Sequence, residues 1–87
     1  MQLSDWFGFA IWFMDDGYKA SSGGLYISAD RYCDEDRQTL IDLLDMNFKL
    51  KTKDHGRKIY IPKQYADIVR NEIAEFTPKS MIYKLVI

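Results

Sequence analysis

Asp15 and Asp16 stand side by side at the end of an apolar run, Trp6 to Met14, and Gly17 follows them. If that run is helical, both carboxylates lie where the helix already carries partial negative charge. Adjacent anions at such a point call for a cation. One reading is a solvated last turn that Gly17 terminates. The other is a ligand set. Two such helices crossing about a two-fold axis would bring the carboxylates of two chains together, and hard oxygen ligands of this kind suit Mg²⁺.

A second constellation is basic. Lys49, Lys51, Lys53, Arg57, Lys58 and Lys63 lie close together, with only Asp54 opposing them. A strand from Phe48 to Lys53 would put Phe48, Leu50 and Thr52 on one face and Lys49, Lys51 and Lys53 on the other. In the next strand Ile59 and Ile61 would oppose Lys58 and Tyr60. A two-stranded ribbon with a basic face can enter a DNA major groove. Tyr26, Ser28, Asp30 and Arg31, with Lys19 from the strand before them, would extend that surface. The alternative is a solvated charged face without a ligand. The net charge of −1 weighs against nucleic acid as a partner. Its distribution weighs the other way, because Asp34, Glu35, Asp36, Asp42 and Asp45 collect in a separate segment opposed only by Arg37.

Other reactive residues carry less. His55 lies between Asp54 and Gly56 and reads as a turn residue or a phosphate contact. Cys33 reads as a helix-entry residue, since no histidine partner accompanies it in the pattern. No phosphate-binding glycine loop and no zinc-ligand spacing is present.

These residues need elements to position them. Ser4 followed by Asp5 predicts an N-cap and an acidic first turn, opening a helix from about Asp5 to Met14 or Asp15. Tyr18 to Ala20 and Leu25 to Ser28 read as strands joined by a Ser/Gly turn. Leu40, Leu43 and Leu44 behind an acidic start predict an amphipathic helix over about Asp34 to Met46. The strands Phe48 to Lys53 and Arg57 to Ile61, turned by Asp54-His55-Gly56, form a second hairpin. A third helix follows Pro62, with Tyr65, Ile68, Val69, Ile73 and Phe76 at helical spacing, and Thr77-Pro78 ends it. The order is helix, hairpin, helix, hairpin, helix, tail, an α+β domain.

With 87 residues the chain is read as one domain, 1–87. Nearly half the residues are apolar, which is not a disordered composition. A lone cysteine and the lack of a recognisable signal peptide predict an intracellular setting. The longest apolar run is too short to span a bilayer. The first helix has no polar face from Trp6 to Met14, so a sheet on one side leaves its other side in need of cover. Either it is the central helix of a compact monomer, or a partner chain covers it. The second reading predicts an interface of Phe7, Gly8, Ala10, Ile11 and Met14, with Gly8 and Ala10 small enough for close helix approach.

The run Phe9-Ala10-Ile11-Trp12-Phe13-Met14-Asp15-Asp16-Gly17 resembles the signature motif of the LAGLIDADG homing endonucleases. Gly24 to Ser28, Ile59 to Pro62 and Pro78 to Leu85 resemble later blocks of that family, in order and over nearly the whole chain. The resemblance implies an α-β-β-α-β-β-α unit, a four-stranded antiparallel sheet with its helices on one face. It also implies a site-specific double-stranded DNA endonuclease that hydrolyses phosphodiesters with Mg²⁺ or Mn²⁺. Asp16, with Gly17 closing the motif, would form the metal-binding end, and Lys84 would stabilise charge near the scissile phosphate. One unit implies a homodimer. Because Ala10-Ile11-Trp12 is similar to the second motif of two-unit members, a heterodimer with a separate first-half unit is the other possibility. Asp30 stands where relatives often carry glutamine, as a further metal-shell carboxylate or the mark of a non-cleaving member. A non-cleaving DNA-binding regulator, or an RNA-binding splicing helper (maturase), is the alternative function of the same fold.

Overall fold

The computed structural model describes residues 4–80. The helices and strands follow in the order α1 (Trp6–Asp16), β1 (Gly17–Lys19), β2 (Leu25–Ser28), α2 (Asp34–Phe48), β3 (Lys53–Asp54), β4 (Lys58–Ile61) and α3 (Lys63–Ile73). A single 3₁₀ turn, Ala74–Phe76, follows α3. The fold is α+β, three helices and a four-stranded antiparallel sheet, as expected. The strand order is β1-β2-β4-β3, so the two hairpins meet along β2 and β4.

The cap of α1 lies one residue later than Ser4. Asp5 has extended backbone, and its carboxylate accepts from the Gly8 N–H at 2.9 Å. That satisfies one of the orphan donors of the first turn. At its other end α1 runs directly into β1. Gly17 has extended backbone and donates its N–H to the Phe13 carbonyl. A Cβ at Gly17 would fall 2.3 Å from the Phe13 ring, so only glycine fits where the helix turns into the sheet.

Leu25, Ile27, Ile59 and Ile61 form the inner face of the sheet and are wholly buried. Above them pack Phe9 and Phe13 of α1, Leu44 of α2, and Ala66, Val69 and Ile73 of α3. Trp6, Phe9 and Phe48 make an aromatic cluster, with Trp6–Phe48 centroids 4.7 Å apart and Phe9–Phe48 5.3 Å. Burying side chains of this size supplies the main driving force of so small a domain.

The second hairpin departs from expectation. Of the strand predicted over Phe48 to Lys53, Phe48 ends α2, residues 49–52 form no regular element, and only Lys53 lies in a strand. α2 continues to Phe48 because Leu40, Leu44 and Phe48 form a buried stripe at helical spacing. Lys49 then takes a left-handed conformation, φ 57°, and the Leu50 N–H reaches back to the Leu44 carbonyl at 3.1 Å. Leu50 is buried. Helical packing therefore wins over the period-two pattern, and β3 is only two residues long.

α1 is covered unevenly. Phe9, Ala10, Trp12 and Phe13 are buried, whereas Phe7 and Ile11 remain 56% and 46% exposed. Ala10, expected at an interface, is instead enclosed by its own chain and corrects that part of the expectation. Among the described residues no helix is long and apolar enough to cross a membrane.

Candidate nucleic-acid interface and carboxylate end of the motif helix

The antiparallel register aligns one residue from each strand across the outer face of the sheet. Tyr18 pairs with Tyr26, Tyr26 with Tyr60, and Tyr60 with Lys53. Ring centroids lie 5.4 Å apart for Tyr18–Tyr26 and 5.2 Å for Tyr26–Tyr60. His55, from the tip of the second hairpin, stacks on Tyr60 at 5.0 Å and 20°. The Lys58 ammonium lies 4.2 Å from the Tyr26 ring centroid, a cation–π contact. Ser22 and Tyr60 share a hydroxyl hydrogen bond at 3.0 Å. The outer face is thus an aromatic row carrying cations, where the sequence predicts a lysine row. Tyr18 and His55 were not predicted to belong to it. For Tyr18 the available signal was its cross-strand pairing with Tyr26, which the Ser/Gly turn between them implies.

The expected basic residues separate into groups. Lys53 and Lys58 belong to the outer face, with Tyr26, Ser28 and Tyr60. Arg57 is exposed just before β4, and Asp30 and Arg31 are exposed in the turn after β2. Lys19 pairs with Leu25, whose side chain is in the core, so the register assigns it to the opposite face at the end of β1. Lys49 is the turn residue after α2. Lys51 is bound at 2.8 Å to Asp45, which holds its ammonium above the ordinary lysine value. Lys49 and Lys51 therefore do not alternate with the core residues on a strand.

The tip of the second hairpin is propped from behind. Asp54 pairs with core-facing Ile59, and its Oδ1 accepts from the Gly56 N–H at 2.7 Å and from Arg37 Nε at 3.1 Å. These donors, the Gly56 amide first, hold the Asp54 carboxyl below the usual aspartate value. Arg37 also binds the Tyr32 carbonyl at 3.1 Å and the Asp34 carboxylate. Gly56, at φ +85° in open space, supplies the left-handed turn.

At the same end of the strands but beyond the opposite edge of the sheet, Asp16 occupies the last turn of α1. Its side chain is 15% exposed and forms an ion pair with Arg31, whose side chain is 63% exposed. Asp15 beside it is exposed. The Arg31 guanidinium also lies 5.3 Å from the Tyr32 ring centroid. A carboxylate mostly screened from solvent at the negative end of a helix is a suitable hard ligand for a divalent cation. Among the described residues of one chain, however, no three ligating groups converge. Asp16 and Asp15 could supply oxygen ligands to such a cation, but no complete ligand set is formed among the described residues. Lys84 lies outside the described residues.

Phe7, Gly8, Ile11 and Met14 lie along one side of α1 at helical spacing; Phe7 and Ile11 are exposed, whereas Met14 is partly buried against the core. Phe7 makes an edge contact with Phe76 at 5.6 Å, and the rest of that stripe ends at Asp15.

A helix ending in carboxylates is thus set over one side of an antiparallel sheet whose other side is aromatic and cationic. The profile of the LAGLIDADG DNA endonuclease family matches residues 3–69, and the chain belongs to that family. Its structure is similar to that of the homing endonuclease I-WcaI bound to its DNA recognition sequence, with a TM-score of 0.84 and 26% sequence identity. The match covers 94% of this chain and 41% of that one, so this chain spans about two-fifths of that relative's length. A search of curated proteins finds no match.

Proposed function

We propose that this chain is half of a site-specific double-stranded DNA endonuclease. Two such units pair through α1, and Asp16 of each faces the other across the pair. The observation that carries the reading is the place of Asp16. It ends α1, whose outward side carries the exposed apolar residues Phe7 and Ile11 one turn apart. Whatever covers that side also approaches Asp16. Asp16 from each unit would hold a divalent cation, Mg²⁺ or Mn²⁺, which when bound polarises a phosphoryl oxygen and activates water.

The chain's own residues do the rest. Lys53, Lys58 and Arg57 anchor phosphates and set the register. Tyr26, Ser28 and Tyr60 face base edges, where hydroxyls donate or accept and rings contact thymine methyls. Lys84 stabilises the charge that develops on the scissile phosphate, by resemblance to the family.

Single-turnover cleavage of a duplex selected from a random pool tests this reading. Asp16→Asn keeps the side-chain size and removes the anion. It should lower the Mg²⁺-dependent rate by at least about a hundredfold, the scale on which loss of one transition-state-stabilising group acts. Asp15→Asn should matter far less. A parent chain that binds the duplex and never cuts it, with either metal, overturns the nuclease reading.

Pairing has its own measurement. Light scattering at micromolar concentration should report twice the chain mass. Ile11→Glu, which would bury an unpaired charge between helices, should return it to one chain mass. Two-fold mass surviving in Ile11→Glu would place the interface elsewhere. A parent that stays monomeric until a separate first-half unit is added makes the pair a heterodimer.

One observation favours a second reading, an RNA-binding splicing helper. Exposed aromatic rings on a sheet are the usual platform for unstacked bases, and the Tyr18-Tyr26-Tyr60-His55 row has that composition. Tighter binding of a single-stranded RNA than of the selected duplex, at equal salt, would favour it.

A further inference from the structure

We propose that Arg31 is an exchangeable counterion for Asp16, on Asp16 when the chain is alone and on phosphate when metal and DNA are present. The proposal rests on the reading of Asp16 as a metal ligand.

The pair is built by the first hairpin. β1 begins at Gly17, directly after Asp16, and pairs with β2 so that Gly17 lies opposite Ile27. The chain leaving β2 therefore passes the end of α1. There it turns, with the Tyr32 N–H donating to the Ala29 carbonyl at 3.1 Å, and Arg31 reaches the Asp16 carboxylate from this turn. Sequence distance hides the contact, which spans fifteen positions.

Charge makes the arrangement exclusive. A guanidinium stays protonated at any working pH. A divalent cation placed on Asp16 would meet it as a like charge at close range. Metal and Arg31 therefore compete for one carboxylate. Asp15 adds negative charge near both and favours neither by sign.

Exposure makes the exchange feasible. The Asp16 side chain is 15% exposed and that of Arg31 is 63% exposed, so the guanidinium can leave without opening the core. Once released it presents a planar fork of N–H donors, which suits a phosphate oxygen pair. Asp30 is the neighbouring carboxylate that would compete with phosphate for it. Through this one residue, cation and duplex reinforce each other's binding. Each removes what holds the other off, and the coupling is reciprocal. Without DNA, Asp16 stays neutralised and holds metal weakly, which limits hydrolysis in the absence of a target.

The test uses the full chain in two titrations. In the first, Tb³⁺ luminescence reports metal binding by the parent, Asp16→Asn, Arg31→Met and Arg31→Lys. Arg31→Met should bind Tb³⁺ about fivefold tighter than the parent, the upper end for release of an exposed ion pair. Arg31→Lys should resemble the parent, and Asp16→Asn should lose the site. In the second, a mixed-sequence duplex is titrated in EDTA. Asp16→Asn frees Arg31, so the slope of log affinity against log salt should steepen by about one phosphate contact. Asp16→Asn combined with Arg31→Met should lose that increment. Circular dichroism checks folding, and Arg31→Gln repeats both titrations if Arg31→Met does not fold. Unchanged Tb³⁺ affinity in Arg31→Met, with binding lost in Asp16→Asn, overturns the counterion proposal and leaves the metal reading standing. Equal Tb³⁺ binding by Asp16→Asn and the parent overturns both. An unsteepened slope in Asp16→Asn overturns the transfer of Arg31 to phosphate.

Discussion

The two hairpins have the same topology and opposite construction. The first is locked by sterics. β1 starts without a linker from α1, and the Phe13 ring fills the space where a Gly17 side chain would be. The second is propped by charge. β3 is two residues long, and ion pairs of Asp54 with Arg37 and of Lys51 with Asp45 hold its approach from behind. The difference teaches where each kind of work can be done. On the proposed reading, a carboxylate that meets a mate and a metal needs a position fixed by packing, since packed interiors deform little. A surface that follows a phosphate backbone needs charge more than position.

The largest expected effect is on the locked side. Gly17→Ala sets a Cβ 2.3 Å from the Phe13 ring, so the ring must move out of a packed core. Overpacking of this kind costs about 1–3 kcal/mol, visible as a lowered thermal midpoint. Gly56→Ala meets no atoms and should cost only about 1 kcal/mol, for its left-handed backbone. Equal losses at the two glycines would erase the contrast between lock and prop.

A smaller effect separates the lysines of the propped side. Lys53→Ala should flatten the slope of log duplex affinity against log salt by about one, because Lys53 shares the outer face with Tyr60. Lys51→Ala should leave that slope unchanged, since its ammonium is held by Asp45. A slope change for Lys51 and none for Lys53 would put the nucleic acid on the helix side of the second hairpin.

The smallest effect is a pH dependence. The Asp54 carboxyl is held below its ordinary value of 3.8 by the Gly56 amide and then Arg37. A depressed carboxylate contributes stability above its unfolded value, and that contribution is lost as pH falls through the folded one. The parent should therefore lose more thermal stability than Asp54→Asn on acidification from about pH 5 to about pH 2. The two should converge at the acid end. Parallel curves would mean that the prop is not electrostatic.

Much of this was legible before any coordinates. The element order, the β2 boundaries and the placement of Asp16 at a helix end follow from periodicity and from glycine positions, which act over a few residues. Tyr26, Ser28, Lys53, Lys58 and Tyr60 fell on the outer face as their alternation predicts. Lys49 and Lys51 did not. The pattern Phe48, Leu50, Thr52 alternates like a strand, yet Leu40, Leu44 and Phe48 extend a helix, and local patterning cannot rank two periods that share a residue.

What the chain determined by itself is therefore local: where helices start and stop, which residues are apolar, and which carboxylates end the motif helix. Tertiary structure alone decided which charges meet. Arg31 reaches Asp16 because β1 and β2 pair in one register. His55 stacks on Tyr60, and Tyr60 lies beside Tyr26, because the two hairpins join along β2 and β4. Ala10 is buried in the core that α1 shares with α3 and the sheet. Each of these contacts joins residues distant in sequence, and their closeness is set by how layers pack rather than by any preference of the residues themselves.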